Sequence, residues 1–426
     1  MKTVKIGLLG FGTVGAGVFK LITERCGLLE ERSGVRFEIK KILVRDLKKP
    51  RKVEVDPRLL TTNPEEVLAD PEISTVVELI GGIEPARSYL IQAIQSGKKV
   101  VTANKLLLAE KGGEIFELAR ECKTPVGFEA SVGGGIPIIR ALQEGFVGNQ
   151  INEIYGIVNA TSNYILSEMS LKGSEFQEVF AHAQSEGYVE SDPRMDIEGH
   201  DAAQKLSILT ALSSGSSPAP DKIYVEGISR ITHFDIESAE QLGFRIKLLA
   251  VYKQHEGRIE ARVHPTFIPL RHPLSDVNGF FNAIYVKGDA VGETMFYGRG
   301  GGMMPTASAV VSDIVSVERT VFDPSLLPTA RPVSFFSLEE LSMEYYLRFT
   351  VVDRPGVLGQ IANALGANEI SIASVDQHGQ DKGGRVPIVI MLHRAQEKNV
   401  RKAIQIIDQM EPVLDKTLCI RVEPLA

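Results

Sequence analysis

Val4-Lys5-Ile6-Gly7-Leu8-Leu9-Gly10-Phe11-Gly12-Thr13-Val14-Gly15 decides how the rest of the chain is read. Val4 to Leu9 is a short apolar run of the kind buried on both faces of a parallel sheet, and it leads straight into a glycine turn and a helix to about Glu24. In that strand-to-helix setting the three glycines of G-x-G-x-x-G have separate tasks. Gly10 makes the turn, Gly12 admits a pyrophosphate to the backbone, and Gly15 lets helix and strand touch. Phe11, Thr13 and Val14 complete the loop, and the helix start offers free N–H groups and a positive dipole to phosphate. The pattern points to a bound dinucleotide, with a tight-packing glycine turn as the alternative.

Working outward, the second strand, Phe37 to Val44, ends at Arg45 and Asp46, with Lys48 and Lys49 beyond. An acidic residue there grips the ribose hydroxyls of NAD, whereas arginine attracts the 2′-phosphate of NADP. Because the cations outnumber Asp46, the expectation is NADP(H), with NAD(H) as the second choice; the two lysines also read as a surface charge run. Strand and helix keep alternating. Thr75 to Ile80 ends at Gly81-Gly82, Lys99 to Ala103 ends at Asn104-Lys105, a helix follows from Leu106 to Glu121, and Pro125 to Glu129 is one more short strand. This is an α/β, Rossmann-type nucleotide-binding domain. Ligands sit beyond the carboxyl ends of such strands, where Gly81 and Lys105 stand, although Lys105 also reads as a solvated cap residue.

Glu129-Ala-Ser-Val-Gly-Gly-Gly-Ile-Pro-Ile-Ile139 follows as a hinge-like passage. Glu129 with neighbouring carbonyls could hold a hard cation, or its carboxylate could cap a turn. Ile151 to Val158 reads as a strand leading to Asn159-Ala-Thr161-Ser-Asn163, polar enough to recognise a small substrate, with Thr161 also a candidate helix cap. Several strands after Leu248 suggest an open sheet serving both substrate and a subunit interface. Gly298-Arg-Gly-Gly-Gly302 then returns glycine-rich backbone to a helix start, near the cofactor or as a flexible crossing.

Between these lies the densest cluster of charge, Glu190 to Lys205. Asp201 and Lys205 are four apart, hence on one helix face, and the apolar positions Ile208, Leu212, Ala202, Leu206 and Leu209 place that face inside the apolar arc. Such a pair is either a structural ion bridge or an amine held for proton transfer.

The whole chain sets bounds. Its 426 residues imply two or three domains, and 43% hydrophobic with 24% charged residues is a globular composition. A net charge of -7 leaves no footprint for nucleic acid or an anionic membrane. The amino terminus shows no secretory pattern, and no run of apolar residues is long enough for a span. Cys26, Cys122 and Cys419 form no metal or disulfide pattern, which fits the cytoplasm.

Taken in order, GFGTVG at 10–15, VTANK at 101–105, EASVGGGIPII at 129–139, NATSNYI at 159–165, GYVESDPRMDIEGHDAAQK at 187–205 and YGRGGGMMPTASAV at 297–310 closely resemble homoserine dehydrogenase. The resemblance implies NAD(P)-dependent interconversion of L-homoserine and L-aspartate 4-semialdehyde. It implies Lys205 and Lys105 as the lysines near the reacting oxygen, with Asp201 tuning Lys205. Glu190 would contact the substrate amino group, with Tyr188, Thr161 and Asp196 in the substrate shell. Glu129, with backbone groups of Val132, Gly134 and Ile136, would match a monovalent cation position for Na+ or K+. Gly302 would lie against the cofactor. His200 and Gly301 depart from the family pattern, where an apolar residue and alanine are expected. Another NAD(P)-dependent amino-acid or semialdehyde dehydrogenase, or an amino-acid sensor on a cofactor fold, are the competing readings.

After a linker at Pro328 to Pro332, a βαββαβ order with the turn DRPGVL and the strand NEISIASV resembles an ACT domain, a ferredoxin-like fold. It implies feedback control by an end-product amino acid, threonine foremost, near Gly356, Asn368 and Ile370; a silent oligomerisation domain is the alternative. The expected organisation is therefore 1–130 for the cofactor domain, completed by about 303–325, then 131–330 as an α+β substrate and dimerisation domain, and 331–426 as ACT. A homodimer or homotetramer is expected.

Overall fold

The computed structural model describes residues 2–186, 193–319, 321–329, 331–377 and 384–425. The first sheet is parallel throughout, with strands β1 (Lys2–Leu9), β2 (Val35–Leu43), β3 (Leu60–Thr61), β4 (Ile73–Glu78), β5 (Lys99–Thr102) and β6 (Val126–Gly127). Their order is β3-β2-β1-β4-β5-β6, so the direction of winding reverses between β1 and β4 and opens a crevice at their carboxyl ends. Val4, Ile6, Leu8 and Leu9 are wholly buried because helices cover both faces. One of those helices comes from far along the chain. Met303–Arg319 lies on Thr13–Glu24, with Ala307, Val310, Val311 and Ile314 sharing a core with Ala16, Val18 and Ile22.

The second sheet holds β7 (Ile151–Ile157), β8 (Tyr224–Val225), β9 (Phe244–His255), β10 (Arg258–Pro269), β11 (Phe281–Gly288), β12 (Gly292–Arg299), β13 (Ser334–Phe335), β14 (Ser342–Val352), β15 (Ile372–Gln377), β16 (Arg385–Gln396) and β17 (Leu418–Val422). Its main path is β12-β11-β7-β9-β10-β17-β14-β16-β15, with β8 and β13 also on β10. The carboxyl-terminal region has the expected βαββαβ order, with helices Val357–Ala367 and Glu397–Ile407. What local sequence pattern did not disclose is that this region shares its sheet with the central one. β17 runs antiparallel to β14 and pairs in parallel with β10 through Thr266↔Arg421 and Phe267↔Val422. The stretch read as a linker is likewise strapped down, with Thr329 Oγ1 donating to the Gly215 carbonyl at 2.6 Å.

The helix carrying Asp201 and Lys205 runs from His200 to Ser214. Asp201 and Lys205 lie among buried residues as their spacing implied: every residue from Asp201 to Ala211 is buried, so the helix has no solvent face in that span. Among the described residues no helix is long and apolar enough to cross a membrane.

Candidate active site

The glycine turn is built as its sequence requires. Gly10 has φ +102°, and a Cβ there would meet the Leu79 carbonyl oxygen at 2.7 Å; one on Gly15 would meet the Gly10 oxygen at 2.4 Å. Around Gly12 a Cβ would meet nothing within 4 Å. The turn is thus packed against its own sheet on one side and open beside the helix start on the other, which fits a pyrophosphate. Arg45 follows β2 as an exposed residue. Sequence reading missed its companion: Lys52 Nζ lies 3.2 Å from Thr13 Oγ1, brought back to the loop by a chain excursion after β2.

At the end of β4, the buried Glu78 carboxylate accepts from the N–H groups of Ile80 (2.7 Å) and Gly81 (3.2 Å) and from Thr102 Oγ1 (2.6 Å). Asn104 caps the helix Lys105–Glu121 by accepting from Leu107 N at 3.1 Å, and its Nδ2 donates to the Gly82 carbonyl at 2.7 Å. Lys105 is therefore fixed at the first helical position, directly over the crevice.

Across the crevice the charges converge. Lys105 Nζ is 2.7 Å from Asp201 Oδ1, and Lys205 Nζ is 2.6 Å from Asp201 Oδ2. The side chain of Lys105 is 40% exposed and that of Lys205 only 11%, so Lys105 sits at the rim and Lys205 in the wall. Lys205 also donates to the Val158 carbonyl at 2.6 Å. Asn159 ties the cluster together, its Nδ2 donating to Asp196 Oδ1 at 2.7 Å and to Asp201 Oδ2 at 2.8 Å. The same residue caps the helix Ala160–Lys172 by accepting from Ser162 N, so the cap is Asn159 and not Thr161, which falls in the first turn. Asp196 is held further by Ser162 Oγ, which donates to its carbonyl at 2.8 Å. Tyr188 and Glu190 lie outside the described residues.

One carboxylate shared by two ammonium groups explains the direction of each ionisation. Burial alone would raise the Asp201 carboxyl, but the charges and hydrogen bonds of Lys205 and Lys105 outweigh it and hold it well below the usual range. Burial lowers the Lys205 ammonium; Asp201 opposes the fall, and the second positive charge on Lys105 adds to it. A buried amine with a lowered pKa beside a cofactor crevice is suited to proton transfer.

The Glu129 carboxylate takes one of the two uses open to it in the sequence. It accepts from Ile139 N at 2.8 Å and Arg140 N at 2.9 Å, capping a short helix. A cation here would therefore draw on backbone oxygens rather than on that carboxylate. Close by, Gly134 abuts Gly300, where a Cβ on Gly134 would meet the Gly300 carbonyl carbon at 2.6 Å. Asn282, wholly buried against Gly300, has an amide with no partner among the described residues, which suits a polar occupant at this contact. No group of three or more His, Cys, Asp or Glu side chains placed for a metal occurs among the described residues. Gly302 (φ +104°) starts the helix Met303–Arg319, which packs on the cofactor-loop helix. In the carboxyl-terminal region Gly356 and Asn368 cap opposite ends of the helix Val357–Ala367, about 18 Å apart by the α-helical rise, and Ile370 is in the core. One chain does not bring these three to one small ligand.

A dinucleotide crevice walled by a buried lysine–aspartate pair with a second lysine at its rim defines an NAD(P)-dependent oxidoreductase acting on a small carbonyl or alcohol. Residues 10–129 match the family described as homoserine dehydrogenase, NAD binding domain, residues 137–315 that described as homoserine dehydrogenase, and residues 345–411 the ACT domain. The chain is similar over its whole length to the homoserine dehydrogenase of Pseudomonas aeruginosa, at 43% identity over 100% of both chains. Its fold matches the crystal structure of a homoserine dehydrogenase from Thiobacillus denitrificans with a TM-score of 0.92 and 45% identity, over 100% of this chain and 99% of that one. A hyperthermophilic archaeal homoserine dehydrogenase in complex with NADPH matches 75% of this chain and 100% of its own, with a TM-score of 0.62 and 28% identity. The chain belongs to the homoserine dehydrogenase family, with a carboxyl-terminal ACT domain. Its reaction is the NAD(P)H-dependent reduction of L-aspartate 4-semialdehyde to L-homoserine.

Proposed function

We propose that Lys205 is the proton donor of this reduction, with Asp201 its positioning carboxylate and Lys105 the second cation at the reacting oxygen. The observation that carries this reading is the Lys105–Asp201–Lys205 bridge at the mouth of the cofactor crevice. Among the described residues Lys205 directs two of its N–H groups to Asp201 and Val158, which leaves the third for the substrate carbonyl oxygen. The bound nicotinamide supplies hydride to the carbonyl carbon. As negative charge grows on the oxygen, Lys205 stabilises it and transfers its proton, and Lys105 stabilises it from the rim. Asp196, Thr161, Tyr188 and Glu190 form the substrate shell, Glu190 meeting the ammonium group. Replacing Lys205 by alanine should lower kcat by on the order of a hundredfold or more while NADPH affinity stays within about twofold. Steady-state kinetics with fluorescence titration of NADPH would check this; unchanged turnover would remove Lys205 from the role.

The preferred cofactor is NADP(H). Lys52 supplies positive charge beside the loop at Thr13, Arg45 stands exposed at the end of β2, and the archaeal relative bound to NADPH supports the same choice. A monovalent cation, Na+ or K+, is held by the carbonyl groups of Glu129, Val132, Gly134 and Ile136. The ACT domain binds threonine between two copies, Gly356 of one facing Asn368 and Ile370 of the other, so the active species is a homodimer or a homotetramer. The chain works in the cytoplasm, in keeping with its free cysteines.

A further inference from the structure

The geometry points to β8 and its extension to Ile228 as a positioning element of the active site, through which Arg421 of the carboxyl-terminal domain sets the turn Asp196–Gly199. This rests on the assignment of Asp196, Asp201 and Lys205 proposed above.

On the catalytic side the contact is backbone to backbone. Ile228 N donates to the Ile197 carbonyl at 2.8 Å. A Cβ on Gly227 would meet the Glu198 carboxylate at 2.4 Å, the Ile197 oxygen at 2.5 Å and Glu198 Cα at 2.6 Å, so the two segments touch too closely for any residue but glycine. Gly199, the left-handed residue that caps the Asp201–Lys205 helix, rests on the same element: its Cβ would meet Val225 Cγ1 at 3.2 Å and the Glu226 oxygen at 3.4 Å. Whatever fixes residues 224–228 therefore fixes both the Asp196 turn and the start of the lysine helix.

On the other side that element is fixed by the carboxyl-terminal domain. β8 pairs with β10 through Arg262↔Tyr224 and Val263↔Val225, and Glu226 N donates to the Val263 carbonyl at 2.8 Å. Arg421, whose side chain is 3% exposed, donates from Nη1 to Glu226 Oε2 at 2.9 Å and from Nε to Glu397 Oε2 at 3.0 Å. Tyr224 donates to the same Glu226 oxygen at 2.8 Å, and the guanidinium groups of Arg421 and Arg401 lie 5.0 and 5.2 Å from its ring centroid. Glu397 heads the helix Glu397–Ile407 and accepts from Tyr345 of β14. A buried arginine thus joins the last helix and last strand of the ACT fold to a segment that backs the substrate turn from the side opposite Asn159 and Ser162. An ion cluster that only held the domains together would have no need to end on that segment.

The test compares Glu226→Gln, Arg421→Met and Gly227→Ala with Asp196→Asn in the full-length enzyme, reading KM for aspartate semialdehyde, NADPH affinity and Tm. Gly227→Ala presses on the turn without altering any charge. The expected result is a rise in KM on the order of tenfold in each variant with NADPH affinity unchanged, and a Glu226→Gln/Asp196→Asn double variant little worse than Asp196→Asn alone. If Arg421→Met does not fold, Glu226→Gln and Gly227→Ala carry the comparison. Wild-type KM in those two, with or without a lower Tm, beside a raised KM in Asp196→Asn, overturns the proposal and leaves a purely structural cluster. Wild-type KM in Asp196→Asn itself overturns the site assignment, and the proposal with it.

Discussion

Two ammonium groups compete for Asp201, and the competition gives each substitution in the cluster a sign. With Lys205 as the proposed proton donor, activity falls as pH rises through its pKa. Asp201 raises that pKa and Lys105 lowers it. Asp201→Asn should therefore move the alkaline limb of the kcat profile to lower pH, and Lys105→Met should move it to higher pH. Profiles of residual activity decide this, and shifts in the same direction would contradict it. At the cofactor loop, removing Arg45 or Lys52 should weaken NADPH binding by about tenfold more than NADH binding; equal losses would argue against phosphate recognition. Lys105, Asp201 and Lys205, which the structure brings together, were legible in the sequence, since four-residue spacing and strand-end position are local properties. Asn159 and Lys52 were hidden in their present roles. Nothing local says that an amide capping one helix also bridges two carboxylates, or that a lysine beyond β2 folds back onto Thr13.

Elements position these residues through their ends. Asn104 is the hinge between β5 and the helix of Lys105, capping one and binding the Gly82 carbonyl. Asn104→Ala should destabilise the enzyme by about 1 kcal/mol in urea unfolding and lower kcat, because the first turn carries Lys105. Most elements were legible from their periodicity and glycine or proline boundaries, including the whole βαββαβ succession. The helix His233–Gln241 was not read, although Thr232 and Asp235 form a capping box that announces it. Its weak apolar pattern concealed it, and Asp235 has a further use invisible locally, accepting from Arg348 Nε at 2.7 Å and Tyr346 at 3.0 Å of β14. β8 escaped for a related reason: a two-residue strand has no period and exists only because β10 lies beside it.

At the scale of the molecule, the proposed effector site would tie regulation to assembly, since Gly356 and Asn368 stand at opposite ends of the helix Val357–Ala367. If threonine bridges Gly356 of one copy and Asn368 of another, inhibition should weaken when the enzyme is diluted below its dimer dissociation constant, and Asn368→Ala should raise the threonine concentration for half-inhibition by about tenfold. Kinetics across enzyme concentration, alongside sedimentation, would show it; inhibition independent of assembly would place the effector within one chain.

β17 also has a meaning for how the protein is made. Synthesis runs from the amino terminus, so β10 leaves the ribosome long before the strand that will lie along it. Until that strand is made, the buried Arg262 has Glu260 but not Glu423, and Thr266 and Phe267 of β10 are without their partner strand. A message cut short or shifted in frame near its end would lose more than its regulator. The product would leave Thr266 and Phe267 of β10 unpaired and Arg262 with Glu260 as its remaining carboxylate, which exposes it to aggregation or proteolysis.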